Sequence, residues 1–283
     1  MKANLTISVI TPSYNQADFL EETIQSVLSQ NYPYLEYIII DGGSDDGSVD
    51  IIKKYQNNIY HWVSERDGGQ SEAINKGLRL ATGDIVCWLN SDDLLMPNTL
   101  KTIAHYFQEN SDAQFIYGNG VVFHDDCSKK EVNCQPGRVD RKMLGYCDPI
   151  QQPSTFWRRE IHSKLGYLDE DLFFTMDWDW FVRVASFYPL HYLPINFSKY
   201  RIHKDHKTGN GGVRRAEEIH AIVKKYGPTD KLGIFAAVLP FAEEIRDLRS
   251  KYGWRFGRVA FYFLHPKLFM SYGFGLKNIV GMY

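Results

Sequence analysis

The sequence is poor in cysteine and lacks a long apolar run. Four of its 283 residues are cysteine, and no pair has the C-x-x-C spacing of a zinc site or a redox motif. So few cysteines in a chain of this length do not suggest a disulfide framework, which favours a reducing, cytoplasmic setting. The longest apolar segment, residues 232–242, contains Pro240 and is shorter than the roughly 20 residues that a membrane-spanning helix needs. We therefore expect no spanning helix.

An excess of charge is also missing. The chain has 32 Lys and Arg against 34 Asp and Glu, a formal net charge of −2. A protein that binds nucleic acid usually carries a large positive field, so we expect no nucleic-acid partner. The 44% hydrophobic and 23% charged residues are typical of a folded chain. The length suits one large α/β domain with a modest appendage.

Strand and helix signals alternate in the first 123 residues. Asn15 fits the N-cap of the first helix, and Pro97 fits the first turn of a later one. The alternation predicts an α/β fold with a mainly parallel central sheet flanked by helices. In such sheets ligands bind at the carboxyl ends of the strands, where the polar turns TPSYN, DGGSDD and NSDD are expected. The predicted strands are residues 7–11, 35–40, 60–64, 85–89 and 115–123.

The pattern weakens in the second half of the chain. We predict an irregular segment at 124–149, a helix at 177–186, a strand at 191–195 and a helix at 213–226. Gly227 and Pro228 then mark a boundary.

The tail at residues 245–283 has a composition of its own. It carries seven basic residues against one acid, together with ten aromatic residues. Helices of this kind lie on anionic membranes, or they pack on a protein core. Both interpretations stay open from the sequence.

The strongest polar cluster is Asn90-Ser91-Asp92-Asp93, directly after a predicted strand. Two adjacent carboxylates at a strand end are costly unless a cation or water compensates their charge. Oxygen ligands favour Mg²⁺ or Mn²⁺, which typically hold the phosphates of a substrate. The alternative is that Asp92 or Asp93 caps the following helix.

Two further turns have ligand-binding chemistry. Asp41 begins the turn DGGSDDG, whose glycines permit close approach of a ligand and whose carboxylate could accept a hydrogen bond from a base. Tyr14 could stack on that base. Each feature alone is equally consistent with an ordinary polar turn.

Asp177 and Asp179 stand among aromatic residues at the start of a predicted helix. An ion pair between Asp179 and Arg183 explains the second acid, which leaves Asp177 as the better candidate for a catalytic base. Residues 200–207 read as a loop rich in His and Lys that closes over a diphosphate, or as a solvated basic loop.

In this order, the segments resemble the inverting family-two nucleotide-sugar glycosyltransferases, which have the GT-A fold and often assemble bacterial polysaccharide or cell envelope. The matching segments are SVITPSYNQADFLEETIQSVLSQNYP, EYIIIDGGSDDGSVDII, SERDGGQSEAINKGLRLATGDIVCWLNSDD, MDWDWFVR and YRIH. The resemblance implies a GT-A domain at 1–226, with a donor half at about 1–123 and an acceptor half at 124–226. A helical basic and aromatic appendage follows at 227–283.

The resemblance also implies roles for single residues. Asp177 would be the general base, and Mn²⁺ or Mg²⁺ would be held by Asp92 or Asp93 together with His203. Gln152, Trp157 and Trp178 lie in the half where such enzymes contact the acceptor. Contacts to the donor, with uridine as the expected nucleoside, fall to Thr11, Tyr14, Asn15, Asp41, Asp67, Gly69, Gln70, Asn90, Ser91 and Asp92.

Two departures from the family pattern matter for function. Asn90 replaces the first acid of the D-x-D motif, and Met176 replaces the Glu that usually precedes the base. The expected activity is a single transfer from a nucleoside-diphosphate sugar to a saccharide or a lipid-linked saccharide, because the processive motif Q-x-x-R-W is missing. The alternatives are a catalytically silent nucleotide-sugar-binding scaffold and, ranked last, a nucleotidyltransferase. The enzyme would be cytoplasmic, with the inner face of the plasma membrane as a second setting.

Overall fold

The computed structural model describes residues 4–125, 130–204, 206–207 and 211–272. Cys127, Asp205 and Gly209 lie outside the described residues, as does the tail segment 273–283.

Nine strands form one sheet within the described residues. The sheet order is β3-β2-β1-β4-β8-β6-β9-β5, and β7 pairs with β6. Strands β1 to β4, β6 and β9 run in one direction, and β5, β7 and β8 run in the other. The predicted mainly parallel sheet is confirmed. The strands are β1 (Ile7–Ser13), β2 (Leu35–Asp41), β3 (His61–Ser64), β4 (Ile85–Trp88), β5 (Leu94–Leu95), β6 (Phe115–His124), β7 (Val132–Cys134), β8 (Thr155–Arg158) and β9 (Leu190–Ile202).

Helices flank the sheet and follow the strands in chain order. The first, α1, buries Leu20, Ile24 and Val27, which recur at helical spacing and pack into the apolar core with β1. The helices are α1 (Ala17–Leu28), α2 (Ser48–Tyr55), α3 (Gln70–Leu80), α4 (Thr99–Glu109), α5 (Arg141–Leu144), α6 (His162–Leu165), α7 (Met176–Ala185), α8 (Gly212–Tyr226), α9 (Thr229–Val238), α10 (Ala242–Leu264) and α11 (Pro266–Tyr272).

Two predicted helix starts are wrong. Asn15 does not cap α1, because it has a φ of 50° and the helix begins two residues later. The backbone N–H groups of Gln16 and Ala17 are instead satisfied by Ser48 and Asp46 from the neighbouring turn. Pro97 precedes α4, which begins at Thr99.

The predictions for the second half were also incomplete. The strand predicted at 191–195 is part of β9, which continues to Ile202. Residues 200–202 therefore belong to the sheet and not to a loop. The segment predicted as irregular contains β7 and the short helix α5.

The described residues form two compact units. The first lies within Met1–Asp140 and Pro149–Lys204 and contains the whole sheet. The second lies within Arg141–Asp148 and Asp205–Tyr283 and contains α5 and α8 to α11. The predicted limits at residues 123 and 226 stay a prediction. In the part of the chain that the structure describes, no helix is long and apolar enough to cross a membrane.

Helix α10 in the second unit is not straight. A straight helix of its 23 residues would separate its ends by more than 30 Å. Yet the ring of Phe241, just before α10, lies 5.9 Å from the ring of Phe261 and 4.3 Å from the ring of His265. His265 also bonds to Glu244 in the first turn, at 2.9 Å. The segment therefore folds back, with a first limb that begins at Ala242 and a second limb that ends at Leu264.

Candidate functional site

The sheet topology gathers the polar turns at one edge. Because β1 to β4 and β9 run in the same direction, the residues that follow each of them lie at the same carboxyl edge. Strand β8 runs the other way, so the residues before Thr155 reach that edge too. All sixteen site residues predicted from the sequence lie in the first unit.

The carboxylate of Asp41 organises the turn after β2. It is fully buried, and its Oδ2 accepts hydrogen bonds from the Ser44 N–H at 2.9 Å and the Ser64 hydroxyl at 2.7 Å. Its Oδ1 accepts from the Ser44 hydroxyl at 2.6 Å. The Asn15 N–H donates to Ser44 Oγ at 2.8 Å, which joins the turn after β1 to the same cluster. The predicted donor residues Asn15 and Asp41 are thus brought together.

Thr11 and Tyr14 have opposite environments. Thr11 is fully buried in β1, and its Oγ1 lies 3.1 Å from the Tyr37 hydroxyl. Tyr14, just after β1, is 63% exposed. The Tyr14 ring has the accessibility that stacking on a base requires, whereas the Thr11 side chain faces the interior.

Asp67 and Gly69 form the turn between β3 and α3. The Gly69 N–H donates to Asp67 Oδ1 at 2.9 Å, and Gly69 has a φ of +127°, which L side chains rarely adopt. A Cβ added to Gly42 would lie 3.0 Å from Asp67 Oδ2, so this carboxylate lies against the Asp41 turn. Burial raises the pKa of Asp67, and the charges of Glu72 and Asp41 add to this effect. The two acidic turns therefore lie against each other at this edge of the sheet.

A chain of amide side chains crosses the edge. Gln70 Nε2 donates to Asn90 Oδ1 at 2.8 Å, and Asn90 Nδ2 donates to Gln152 Oε1 at 3.2 Å. Gln152 Nε2 in turn donates to the Trp88 carbonyl at 2.9 Å. Asn90 therefore connects the start of α3 to the residues before β8, a role that an aspartate, which has no donor, would fill only in part. Gln152, which was predicted to contact the acceptor, is 9% exposed and belongs to this chain.

Asp92 and His203 approach each other across the sheet. Asp92 follows β4, His203 follows β9, and Asp92 Oδ2 lies 3.1 Å from His203 Nε2. The Asp92 side chain is 23% exposed and the His203 side chain 5%. The His203 ring packs on Phe19 at 4.5 Å between centroids, which fixes its orientation.

Asp93 faces the opposite way. It is fully buried, and its Oδ1 accepts from the Arg201 N–H at 3.1 Å while its Oδ2 accepts from Asn90 Nδ2 at 3.3 Å. Burial raises the pKa of Asp93 well above its usual range, and the negative charge of Asp92 raises it further. Ser91 between Asn90 and Asp92 is also buried. Of the two acids, Asp92 is the one that a ligand can reach.

Arg201 is a site residue that the sequence analysis missed. It is 4% exposed, and its Nε donates to the Asp92 carbonyl at 2.9 Å. Its other nitrogens bond to Asp125 at 2.7 Å and Glu22 at 2.5 Å. The prediction of a loop at 200–207 hid this role, because only a residue inside β9 can reach back under the Asp92 turn.

Helix α1 holds the same turn from the other side. The hydroxyl of the buried Thr23 lies 2.9 Å from the Ser91 carbonyl and 2.8 Å from the Asp93 carbonyl. The Leu95 N–H donates to Ser26 Oγ at 3.1 Å. Thr23 and Ser26 are three residues apart and share one helix face, which the sequence could have indicated.

Asp177 lies in the first turn of α7 and is half-buried. Its Oδ1 accepts a hydrogen bond from the Trp178 N–H at 2.8 Å. The segment before α7 is fixed to α3, because the Ser71 hydroxyl donates to the Leu172 carbonyl at 3.0 Å. Ser71 follows Gln70, and the five residues from Leu172 to Asp177 span at most about 18 Å. The backbone of Asp177 therefore lies within about 18 Å of that of Leu172, which is anchored at the start of α3.

Asn75, also missed by the sequence analysis, completes the link between α3 and that segment. It is 1% exposed, and its Nδ2 donates to the Leu168 carbonyl at 2.9 Å and to Glu170 Oε1 at 2.7 Å. Its Oδ1 accepts from the Leu168 N–H at 2.9 Å. One buried side chain thus uses both of its polar ends to anchor the approach to α7.

The remaining predicted residues on α7 and β8 belong to the core. The predicted ion pair of Asp179 with Arg183 is confirmed at 2.6 Å. Trp157 is fully buried, with its ring 5.9 Å from Phe115, and Trp178 is 4% exposed. Neither ring offers an open face to a sugar. Their burial therefore does not support the expectation that they contact an acceptor.

The site provides too few ligand atoms for a metal ion unless a bound substrate supplies the others. Among the described residues, no group of three or more His, Cys, Asp or Glu side chains is arranged to hold a metal ion. Asp92 and His203 provide two converging ligand atoms. Mg²⁺ typically takes one or two protein ligands and completes its shell with water and substrate phosphates. The two side chains therefore fit an ion that binds together with a diphosphate.

The sequence profile described as Glycosyl transferase family 2 matches residues 8–166. An uncharacterized glycosyltransferase of Rickettsia typhi is 28% identical over 88% of this chain and 81% of its own length. A putative teichuronic acid biosynthesis glycosyltransferase of Bacillus subtilis is 32% identical over 57% of this chain and 71% of its own length.

Solved structures show the same fold. TarS 1–349 of S. aureus in complex with UDP-GlcNAc matches with a TM-score of 0.63 at 16% identity, over 97% of this chain and 81% of that one. The mannosyltransferase PcManGT of Pyrobaculum calidifontis, in complex with GDP-Man and Mn²⁺, matches with a TM-score of 0.61 at 17% identity, over 99% of this chain and 86% of that one.

Proposed function

The chain belongs to glycosyl transferase family 2, and from this premise we propose that it moves one sugar from a nucleoside-diphosphate sugar to a hydroxyl of a saccharide or lipid-linked saccharide. Glycosyl transfer itself follows from the family. The proposal adds a UDP-linked donor, a requirement for Mn²⁺ or Mg²⁺, inversion at the anomeric carbon and Asp177 as the base.

The observation that carries the proposal is the approach of Asp92 and His203 at the carboxyl edge of the sheet. A carboxylate and an imidazole converge there at 3.1 Å, beside the amide chain of Gln70 and Asn90. In open α/β sheets this edge is where ligands bind. If the contact of Asp92 with His203 served only to hold the turn, Asp92 could be fully buried. Its side chain is instead 23% exposed, so a ligand can reach it.

Asp92 and His203 would hold the divalent ion, with the donor diphosphate completing its shell. Such an ion offsets the negative charge that develops on the leaving diphosphate. Asp93 supports the turn from inside, since its carboxylate already accepts bonds from Arg201 and Asn90. Lys204, exposed directly after His203, would add positive charge near the same diphosphate.

The nucleoside would bind over the turns after β1, β2 and β3. Tyr14 is exposed for stacking on the base, and the buried Asp41 keeps the turn in shape for hydrogen bonds to it. Asp67, Gly69 and Gln70 would line the pocket toward the sugar. Asn90 would contribute hydrogen bonds in place of the charge of an aspartate.

Asp177 would act as the general base. The acceptor oxygen forms a bond to the anomeric carbon as the bond from that carbon to the diphosphate oxygen breaks. The hydroxyl proton passes to the Asp177 carboxylate, and the nucleoside diphosphate leaves. The reaction is one displacement and needs no covalent intermediate.

The setting of the reaction is also proposed. The relative from Bacillus subtilis is named for teichuronic acid biosynthesis, and this supports a bacterial polysaccharide or cell-envelope acceptor. The absence of Q-x-x-R-W supports addition of a single sugar. We assign the transferase to residues 1–226 and a helical appendage to residues 227–283, in the cytoplasm or at the inner face of the plasma membrane.

The test measures thermal stability with UDP, GDP and dTDP, each with and without Mn²⁺. We expect stabilisation by UDP that requires Mn²⁺, because a ligand at 100 times its dissociation constant adds about 2.7 kcal/mol. Asp92→Asn should abolish the part of the shift that depends on Mn²⁺.

Asp93→Asn is the matched control, because it changes the neighbouring carboxylate that points inward. It should lower stability in the absence of ligand and keep the dependence on Mn²⁺. An unchanged Mn²⁺ response in Asp92→Asn would move the metal role to another residue. No response to any nucleotide would contradict the proposed donor site and the nucleotide-sugar-binding scaffold alike.

A further inference from the structure

The second limb of α10 exposes a row of large apolar side chains. Phe256 is 74% exposed, Val259 44%, Phe263 81% and Leu264 59%. The first three stand at i, i+3 and i+7, so they lie on one face of a helix. We call Phe256, Val259 and Phe263 the outer face. An apolar row of this length on a surface indicates a contact with something else.

The opposite side of the same limb is already packed. Gly257 and Phe261 are buried, and the Phe261 ring lies 5.9 Å from that of Phe241. Residues 257 and 261 are four apart, on the helix side away from the outer face. The limb is therefore apolar on two sides, and only the inward side is covered by the described residues of its own unit.

The sequence segment that carries the outer face has charged side chains of one sign. From residue 248 to the end the sequence has six Lys and Arg residues and no Asp or Glu. Lys251 and Lys267 are exposed on either side of the outer face in the chain. In α11, after the outer face, Met270 is 83% exposed. The acids of the first limb, Glu243, Glu244 and Asp247, pair with Arg246 and His265. The apolar row thus lies in a basic segment, and the acids of the neighbouring limb already have cationic or imidazole partners.

We propose that the outer face docks on an anionic lipid bilayer. An interfacial helix buries its apolar side chains at the boundary of headgroups and acyl chains, and basic residues beside it attract the anionic headgroups. A second copy of this chain fits less well, because two such faces would bring together two segments that each have six Lys and Arg residues and no Asp or Glu from residue 248 onward. The contact is peripheral, and it is independent of the proposed donor site.

The test is sedimentation with vesicles, without nucleotide or acceptor. Wild-type protein should bind vesicles of mixed phosphatidylglycerol and phosphatidylcholine, and bind pure phosphatidylcholine weakly. High salt should weaken the binding, since it screens the basic residues. Phe256→Ser combined with Phe263→Ser should lower the partition coefficient at least about tenfold, because both rings lose their insertion energy.

Tyr60→Ser is the matched control. Tyr60 is 63% exposed, lies in the first unit and is not among the proposed site residues. It should bind vesicles as wild type does, and the melting temperature of each variant confirms that it folds. Lys251→Gln with Lys267→Gln should weaken binding to the anionic vesicles while leaving the two phenylalanines in place.

Three results would overturn the proposal. The first is that wild-type protein does not bind anionic vesicles at low salt. The second is that the double phenylalanine variant binds them as well as wild type does. The third is a wild-type dimer that becomes a monomer in that variant, without vesicle binding, which would assign the outer face to a second copy. If wild-type protein binds the vesicles but shows no nucleotide-induced thermal shift, the result counts against the proposed function and leaves the vesicle contact standing.

Discussion

Asp92 and Asp93 show how one step along the backbone separates two chemically identical groups. Asp92 turns toward His203 and keeps a partly exposed carboxylate, whereas Asp93 turns inward to Arg201 and Asn90. The sequence left open which acid binds a metal. Burial distinguishes them, because a carboxylate with no exposed surface and two internal donors has little to offer a ligand.

The proposed role of Asp177 gives a prediction for a single residue. Asp177→Asn should lower kcat by about 10²–10⁴-fold, because the amide cannot take the proton of the acceptor hydroxyl. Donor binding, measured as the nucleotide-induced thermal shift, should be nearly unchanged. Steady-state kinetics with the natural acceptor checks the expected split between kcat and binding.

Asp171→Asn is the control for that experiment. Asp171 is an exposed acid in the segment that leads to α7, so its replacement tests whether loss of any nearby charge slows the reaction. It should retain wild-type turnover. An Asp177→Asn enzyme of undiminished kcat would assign the base to another residue.

Single residues were predictable from the sequence where a short motif positions them. The ion pair of Asp179 and Arg183 needs only helical spacing, and the structure confirms it. Arg201 was missed because its partners, Glu22, Asp92 and Asp125, are far from it in the sequence. The resemblance placed Trp157 among the acceptor contacts, but an aromatic ring in a central strand is buried by its neighbours on both sides.

Helix α3 links two parts of the proposed site. Gln70 bonds to Asn90 at its start, and Ser71 and Asn75 hold the segment that leads to α7. The helix therefore fixes the approach to Asp177 relative to the turns that would bind the donor. Its role comes from polar side chains on the face turned to that segment.

The link gives a prediction for Asn75→Ala. The variant loses both ends of a buried amide, and this should lower the free energy of unfolding by about 1–3 kcal/mol. Because a shift of about 1 Å can cost 10²-fold in rate, kcat should also fall by about 10–100-fold. Chemical denaturation and steady-state kinetics measure the two effects.

Asn57→Ala is a suitable comparison, since Asn57 is exposed in the turn after α2. It should change neither quantity measurably. If Asn75→Ala lost stability while its kcat stayed at the wild-type value, the link would be structural only.

Strand β9 shows why an element can be longer than its pattern predicts. Pro194, which has no N–H for a ladder, lies near the end of the strand predicted at 191–195. In the structure Leu193 pairs with Gly118 and Asn196 pairs with Asn119, so Pro194 and its neighbour lie in a bulge. A bulge allows a proline inside a paired strand, because the bulged residues do not take part in the ladder. The sequence of β9 alone does not show that its pairing with β6 shifts register at this point.

The whole first unit carries a buried histidine that makes it sensitive to acid. His162 is stacked between Tyr167 and Trp180, and the Trp157 indole donates to its Nε2 at 3.0 Å. Burial lowers the pKa of His162 to about 4 from a usual 6.5. The unfolded chain thus takes up this proton before the folded one does.

Stability should therefore fall as the pH drops from about 6.5 to about 4. The depressed pKa corresponds to about 3 kcal/mol in total, of which about 2 kcal/mol is lost by pH 5. Melting temperatures from pH 7 to pH 4.5 measure the loss. His162→Gln, which keeps an acceptor for Trp157, should flatten the slope, and the exposed His105→Gln should leave it unchanged. An equal slope in all three proteins would contradict the assignment.

A second acid-sensitive group lies in the same unit. Burial raises the pKa of Glu36, but hydrogen bonds from Ser8, Thr82 and Gly83 outweigh this and hold the pKa below its usual value. A lowered pKa contributes stability above the unfolded value of 4.5, and this is lost as the pH falls through the folded value. The pH range in which Glu36 loses its contribution to stability therefore lies below the range in which His162 loses its contribution.

At the scale of the molecule the α/β fold was predictable, because alternation and polar turns depend only on local sequence. Long-range pairs outside the family motifs were not, because their residues are far apart in the sequence, as Glu22 and Arg201 are at 179 positions. The reversal within α10 was equally hidden. Its helical pattern is continuous, and only the contacts of Phe241 reveal the fold-back.

That reversal determines how the chain tolerates being cut. The two limbs of α10 cover each other, so a protease nick or a stop codon near residue 250 would remove Phe261 and His265 from Phe241 and Glu244. The shortened product would expose a second apolar surface while losing the first. Shortened versions of the protein should therefore end before the first limb, or retain both limbs.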